Sequence, residues 1–349
     1  MKIHILYPFV DGPWGGANQF LKAIRDYFIK LNVYTENENE ADVVLFNASP
    51  SALLLLLLSK VYKLKKKNKN MIVINRIDGP VYYIRDKDLE VDRAFFRFNK
   101  SICDGTIYQS NWSKEKNYYL GMEKNNFETT ILNAPNPNIF NKNNKIPFNK
   151  NRKIKIIATS WSSNWKKGFE TYKWLDENLD FSKYEMTFVG NSPAPFKNIV
   201  YKKPMNSENL ALELKKHDIF LTASQKDPCS NSLIEALHCG LPAIGLNDGG
   251  HTEIIGEGGE VFNNKEEILN ILEKIINNYE NYQNNIYLPT IDEVGKMYYE
   301  FIEMIYREQQ NGNYSSKQFS SFDYWNIKKT LFVWKWSERI KGLKNRVFK

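Results

Sequence analysis

Two tandem doubly wound α/β domains followed by a basic amphipathic tail are the fold that this 349-residue sequence predicts, on three observations. Apolar runs rich in β-branched residues alternate with helical patterns from the first residue. The alternation stops once, in a stretch dense in Asn, Pro and Lys, and then restarts. The positive charge is gathered at the end of the chain. Strands that are apolar throughout and separated by helices belong to parallel sheets covered on both faces. The length is about twice that of a typical domain, so two cores are expected. Hydrophobic content of 42% and charged content of 25% suit a globular chain.

In the first domain, residues 1–133, "IHILY" (3–7), "DVVLFN" (42–47), "MIVINRID" (71–78), "GTIYQS" (105–110) and "ETTILN" (128–133) read as strands. Segments 17–31 and 111–120 between them read as helices. "NAPNPNIFNKNNKIPFNKNRK" has no apolar period, which makes 134–152 a linker. The second domain, 153–288, repeats the pattern with strands at 153–160, 184–190, 198–204, 218–224, 241–247 and 259–262. Helices follow at 264–281 and 290–309. The segment 289–310 can return to the first domain, and 311–349 is the tail. Both domains are therefore expected to be Rossmann-like, with ligands beyond the carboxyl ends of the strands.

Charge and cysteine content exclude several classes. Residues 324–349 hold eight Lys or Arg against Glu338 alone, which accounts for +7 of the net +8 and leaves the body nearly neutral. Nucleic acid is not expected as a partner, because the cations do not spread over the folded body. Cys103, Cys229 and Cys239 are too few for a disulfide framework and suit a reducing compartment. The start "MKIHILYPFVDGPWGG" lacks a signal-peptide core, and the apolar run from Ala52 is far shorter than the ~20 residues of a membrane span. A cytoplasmic protein is expected.

Three loops carry chemistry. Gly15 and Gly16 after the first strand let backbone amides approach a phosphate or sugar at a helix start, although a tight turn alone would also need glycine. Their spacing is not that of a dinucleotide fingerprint, so no nicotinamide or flavin cofactor is expected. Lys166, Lys167 and Gly168 stand where a helix begins, and a lysine there can neutralise a diphosphate. In "DPCSNSLIEALHCGLPAIG" (227–245), a helix starts at Asn231 or Ser232, with Ser230 or Asn231 as its cap. Asp227 in the loop and Glu235 one turn along can face one ligand, beside the amides of Asn231, Ser232 and Leu233. Two carboxylates around an anion site suit a sugar nucleotide: amides and lysine take the diphosphate, and carboxylates accept from sugar hydroxyls.

The segment "DPCSNSLIEALHCGLPAIGLNDGGHTEIIGEGGEVF" resembles the donor-binding signature of the GT-B-fold family 4 glycosyltransferases. That signature is an acidic residue, seven others, Glu, then Ala-x-x-x-Gly-x-Pro and a Gly-Gly loop. Asp227, Glu235, Gly240, Pro242, Gly249, Gly250 and Glu253 match it. The Gly15/Gly16 loop, "ILNAPNPNIF", "KKGFE" and "FVGNSP" at Gly190 fall in the family's order, so the resemblance covers roughly residues 1–309. It implies a retaining, metal-independent transfer, with a nucleoside diphosphate sugar as donor and a glycan or lipid-linked acceptor. Asp78 and Arg76 are the acceptor-side or catalytic candidates in the first domain. The sequence departs from the pattern in having Asp at the first acidic position and Ala134 for the usual Gly. Trp161 and Ser162 stand where a second basic residue usually lies, so charge neutralisation falls to Lys166 or Lys167. A sugar-nucleotide epimerase of similar fold and a non-catalytic binding module remain open.

Other signals point to packing. Cys229, His238 and Cys239 lack a second cluster that would complete a zinc site, and Cys229 has no identifiable base as a nucleophile. Asp86 and Asp88 in "RDKD" read as a turn. "KVYKLKKKNKN" (60–70) reads as the charged end of a core helix or as a surface for anionic lipid. In the tail, Phe332, Trp336, Ile340, Leu343 and Val347 recur at helical spacing among Lys and Arg, close to Trp325 and Trp334. Such a segment lies in membrane interfaces or docks on the body; the first makes residues 324–349 a contact for an anionic membrane, at its inner face.

Overall fold

The computed structural model describes residues 1–10, 16–47 and 54–347. The chain forms two compact units, one of residues 1–9, 24–131 and 295–349, the other of residues 10–23 and 132–294.

Along the first part of the chain run β1 (Ile3–Leu6), α1 (Gly16–Lys30), β2 (Val43–Asn47), α2 (Leu54–Lys67), β3 (Ile72–Ile77), α3 (Val81–Arg85), α4 (Leu89–Ile102), β4 (Gly105–Tyr108), α5 (Asn111–Tyr119) and β5 (Phe127–Thr130). The five strands are parallel, in the order β1-β2-β3-β4-β5, and a parallel bridge joins Ile3 to Tyr34 on the other edge of β1. The chain thus leaves β1 to one side and returns on the other, a reversal that lets crossovers cover both faces. Alternate residues serve opposite faces. Val44, Phe46 and Val73 enter one core with Leu58 and Val61 of α2 and Ala94 and Phe98 of α4. The turn at "RDKD" links α3 to α4, with Asp86 and Asp88 in the left-handed region at φ 54° and 72°.

The second unit contains β6 (Ile154–Ser160), α6 (Phe169–Asn178), β7 (Tyr184–Gly190), β8 (Val200–Lys202), α7 (Ser207–Leu214), β9 (Ile219–Thr222), α8 (Asn231–His238), β10 (Ala243–Leu246), α9 (His251–Ile255), β11 (Gly259–Phe262), α10 (Glu267–Asn277) and α11 (Tyr279–Asn284). Its parallel sheet has the order β11-β10-β9-β6-β7-β8, so the direction of winding reverses between β6 and β9. The helix expected over 264–281 is two, because Asn278 breaks the α10 geometry at φ −126°. The Asn-rich segment after Asn133 has no regular structure but is not loose. Phe140 is buried in the core beneath α8, and Arg152 makes a two-pronged ion pair with buried Asp218 at 2.7 and 2.8 Å.

Two helices end the chain, α12 (Ile291–Gln310) and α13 (Ser321–Val347). From Gly295 onward they belong to the first unit. Buried Tyr298 of α12 accepts a hydrogen bond from Arg76 Nε at 3.1 Å. Ahead of α13, the Tyr314 hydroxyl and the Lys317 amide both donate to Asp104 at 2.7 Å. Asp104 in turn lies 3.9 Å from the ammonium of Lys65, whose side chain is 2% exposed. One member of the lysine-rich end of α2 is therefore a core residue. Tyr324, Ile327 and Leu331 then lay one face of α13 on the core of α2 and α4. The first part of the tail is a docked layer of the fold.

Candidate functional site

At the point where the winding of the second sheet reverses, the chains leaving β6 and β9 diverge and open a crevice. A cavity of about 340 Å³ lies there. Thr159, Ser160, Trp161 and Ser162 line it from the end of β6, Val189 and Gly190 from β7, and Thr222, Ser224 and Asp227 from β9 and its loop. Gly16, Ser230, Asn231, Ser232 and Glu235 also face it. Extended backbone at Ser230 starts α8, and the four-residue step from Asn231 puts Glu235 on the same helix face. Leu233, Ile234 and Leu237 face the core instead, all at most 1% exposed.

Lys167 Nζ lies 2.8 Å from Asp227 Oδ2, and Ser224 Oγ donates to the same oxygen at 3.4 Å. Burial pushes the Asp227 carboxyl up, but Lys167, His251 and the Cys229 amide outweigh it and hold the group below its ordinary value. Glu235 has no such neighbour. Burial alone pushes its carboxyl from 4.5 to about 8. The two acids are therefore unlike at neutral pH, with Asp227 ionised and paired and Glu235 holding a proton. His251 is fully buried. Its Nδ1–H donates to the Leu246 carbonyl at 3.0 Å, and its Nε2 has no hydrogen-bond partner among the described residues. The buried Thr159 Oγ1 on the cavity wall is likewise without one.

Glycines hold this arrangement at close quarters. Gly190 has φ +139°, and a Cβ there would fall 1.9 Å from the Ser160 carbonyl oxygen. Gly249 has φ +67° and would place a Cβ 2.2 Å from the Asp227 carbonyl oxygen, to which the Gly250 amide donates at 2.9 Å. Gly249 and Gly250 thus stand behind the Asp227 loop and are not on the cavity wall.

The expected site residues divide as follows. Gly16, Lys167, Gly190, Asp227, Asn231, Ser232 and Glu235 line one cavity. Gly16 is pressed against the Asn231 side chain, whose Oδ1 accepts from Asn133 Nδ2 at 3.0 Å. Gly15 lies outside the described residues. Of the adjacent lysines, Lys167 faces the cavity, while the Lys166 carbonyl accepts from the Gln225 amide at 2.7 Å. The Leu233 side chain is in the core, leaving only its backbone at the helix start. Cys229, His238 and Cys239 are buried or partly buried, and no group of three or more His, Cys, Asp or Glu is placed to hold a metal among the described residues. The wall residues Pro204, Met205, Ser207 and Leu210 carry no motif. Only their place after β8, at a strand's carboxyl end, could have signalled them.

Asp78 belongs to the first unit and is not part of this cavity. It follows β3, and its Oδ1 accepts from Arg76 Nη1 at 3.3 Å and from Gln109 Nε2. Arg76 is fully buried and also donates to Asn47 Oδ1 at 2.6 Å. The Asp78 carbonyl accepts from Ser113 Oγ at 3.0 Å. The carboxyl edge of the first sheet thus ends in a braced polar network around one half-exposed carboxylate.

Residues 175–287 match the family model described as glycosyl transferases group 1. The matched segment contains Asp227, Glu235 and the Gly249–Gly250 loop, and it ends beyond α11. No curated protein matches the chain in sequence. Among solved structures, HepE from Anabaena in complex with UDP and glucose shares 12% identity at a TM-score of 0.61, over 90% of this chain and 99% of that one. Sucrose-phosphate synthase from Thermosynechococcus elongatus shares 15% identity at 0.53, over 94% and 77%. The pneumococcal O-GlcNAc transferase GtfA in complex with UDP and GlcNAc shares 15% at 0.56, over 81% and 60%. These similarities show a GT-B fold, two Rossmann-like parallel-sheet domains of five and six strands.

Proposed function

We propose that the chain is a glycosyltransferase of family 4 whose second-unit cavity takes a nucleoside diphosphate sugar, and that it transfers the sugar with retention to a hydroxyl of a glycan or glycolipid. The observation that carries this reading is the convergence of Lys167, Asp227 and Glu235 with the N-terminus of α8 on one cavity. Asp227, Glu235 and α8 lie inside the segment matched to glycosyl transferases group 1, with Lys167 shortly before it, and the fold neighbours HepE and GtfA are described with UDP and a sugar bound.

In this reading the α8 amides and Lys167 hold the diphosphate, because a helix start and an ammonium both favour anions. Protonated Glu235 can donate to or accept from a ribose or sugar hydroxyl, and Asp227 accepts once a hydroxyl approaches. The bond from the anomeric carbon to the diphosphate oxygen breaks as the acceptor oxygen bonds on the same face. The acceptor's proton passes to the departing phosphate oxygen. Lys167 and the amides stabilise charge on the leaving group without a covalent nucleophile. Asp78, braced by Arg76 and Gln109, is the proposed acceptor-side residue. No metal or other cofactor is assigned. The setting proposed is polysaccharide or glycolipid assembly at the cytoplasmic face of a membrane. No helix among the described residues is long and apolar enough to cross one, so contact would be peripheral.

The test is incubation with UDP-, GDP- and ADP-sugars, with and without EDTA, while released nucleoside diphosphate is followed with and without acceptor; UDP-glucose comes first. Binding with acceptor-dependent release is expected. No binding of any nucleotide sugar sinks the reading. Epimer formation without transfer would favour an epimerase. Binding without turnover would favour a non-catalytic module, for which the single cation among the described cavity residues, Lys167, already paired with Asp227, is the motivating observation.

A further inference from the structure

Helix α13 has two apolar faces. Tyr324, Ile327 and Leu331 recur at steps of three and four and are buried against α2 and α4. Roughly half a turn away, Phe322, Trp325, Phe332, Val333, Trp336 and Ile340 form a second stripe, every member between 49% and 75% exposed. Lys328, Lys335 and Arg339 run along one side of that stripe and Lys329 lies within it. A contiguous exposed run of large aromatic and aliphatic side chains marks an interaction surface.

The docked face links the stripe to α2. Tyr62 of α2 stacks on Tyr324 with ring centroids 4.1 Å apart and 12° between planes, and its hydroxyl is 2.9 Å from Ser321 Oγ. Lys66 Nζ lies 5.5 Å from the Tyr62 ring, while Lys328 Nζ lies 5.5 Å from the Tyr324 ring and 4.6 Å from that of Trp325. Lys66, Tyr62, Tyr324, Lys328 and Trp325 thus form one chain of ring and cation contacts from the end of α2 to the outer face of α13. Lys63, Lys66, Lys67 and Lys69 are exposed at that end, in contrast to buried Lys65. Two basic segments over 250 residues apart in sequence meet on one surface.

We propose that α2 and α13 form one composite surface that binds an anionic phospholipid bilayer, the aromatic stripe entering the interface and the lysines of both helices resting on headgroups. This rests on the peripheral-membrane reading above and adds its second half. Aromatic residues flanked by cations suit the boundary between headgroups and acyl chains. A second copy meeting this face symmetrically would bring like charges together. A nucleic acid would leave Val333 and Ile340 without a role, since neither stacks on bases.

The experiment is sedimentation of the full chain with vesicles of phosphatidylcholine alone or mixed with phosphatidylglycerol. One triple variant removes Lys63, Lys66 and Lys67 (each→Ala); another removes Trp325, Phe332 and Trp336 (each→Ala). All six sites are exposed or at the surface, so thermal melts should match wild type. Wild type should bind the anionic vesicles only, and less as salt rises. The lysine variant should partition roughly 100-fold more weakly, at about fivefold per cation. Wild-type binding by the lysine variant, with loss in the aromatic variant, overturns the composite surface but leaves the tail as anchor. Failure of wild type to bind the anionic vesicles overturns both. Self-association of wild type that the aromatic variant abolishes overturns the proposal in favour of a second copy.

Discussion

Replacing Glu235 with Gln isolates the cost of keeping a carboxyl in the cavity. The unfolded chain titrates Glu235 near 4.5 and the folded chain at about 8. Over that interval the native state holds a proton that the unfolded state has released, so this group's contribution to stability falls as pH rises from 4.5 to 8. The full gap of ~3.5 pH units corresponds to ~5 kcal/mol at 1.36 kcal/mol per unit, and the part reached by pH 7 to ~3 kcal/mol. Glu235 keeps some solvent contact through the cavity, so roughly half of that, ~1.5 kcal/mol, is the expected gain of the Gln variant at pH 7. The difference should be near zero at pH 4.5 and largest above pH 8. Urea unfolding of both proteins at pH 4.5, 7 and 8.5 reads it directly. Stability curves that stay parallel across this range would refute the claim that burial holds the carboxyl protonated. The same variant should keep UDP-sugar binding, since an amide offers a donor and an acceptor as a protonated carboxyl does; a large loss would mean that the ionised carboxylate is the form that binds.

Lys167→Ala should weaken UDP binding by at least ~10-fold in calorimetry while Lys166→Ala changes it less than about twofold; equal losses would mean that the cavity cation is misassigned. Gly190→Ala should cost more than about 2 kcal/mol and lower the melting temperature, because a Cβ would meet the Ser160 carbonyl at 1.9 Å and the residue holds φ +139°; an unchanged melt would show that the turn relaxes freely. Asp104→Ala should cost ~3–5 kcal/mol by leaving Lys65 buried without its carboxylate. It should also expose residues 311–320 to protease, since the Tyr314 and Lys317 hydrogen bonds end on that group. Intact protease resistance would mean that α13 docking alone holds the tail.

The eleven strands among the described residues lie where the sequence placed them, to within a few residues: the inner ones because a buried parallel strand must be apolar on both faces, the half-buried or exposed edge strands β5 and β8 through the alternation of strand and helix alone. That Asp227, Glu235 and one of the lysines Lys166 and Lys167 could meet at one helix start was legible for a different reason: loops after strands and helix starts are local features with local residue preferences. Helix α4 does carry a signal, with Val91, Ala94, Phe98 and Ile102 buried at steps of three and four, that a reading led by the strands passed over, whereas the wall residues after β8 carry none beyond their place in the topology. What distinguishes Lys167 from Lys166, or Lys65 from Lys66, is likewise absent from the sequence. Neighbouring residues of one type differ only in which way the backbone aims them, and that is decided by what packs against it. The tail shows the division most sharply. Its composition announced an aromatic, basic amphipathic segment, but two apolar faces on one helix read in sequence as one broad pattern. Only docking through Tyr324, Ile327 and Leu331 separates the face that the fold consumes from the face left at the surface.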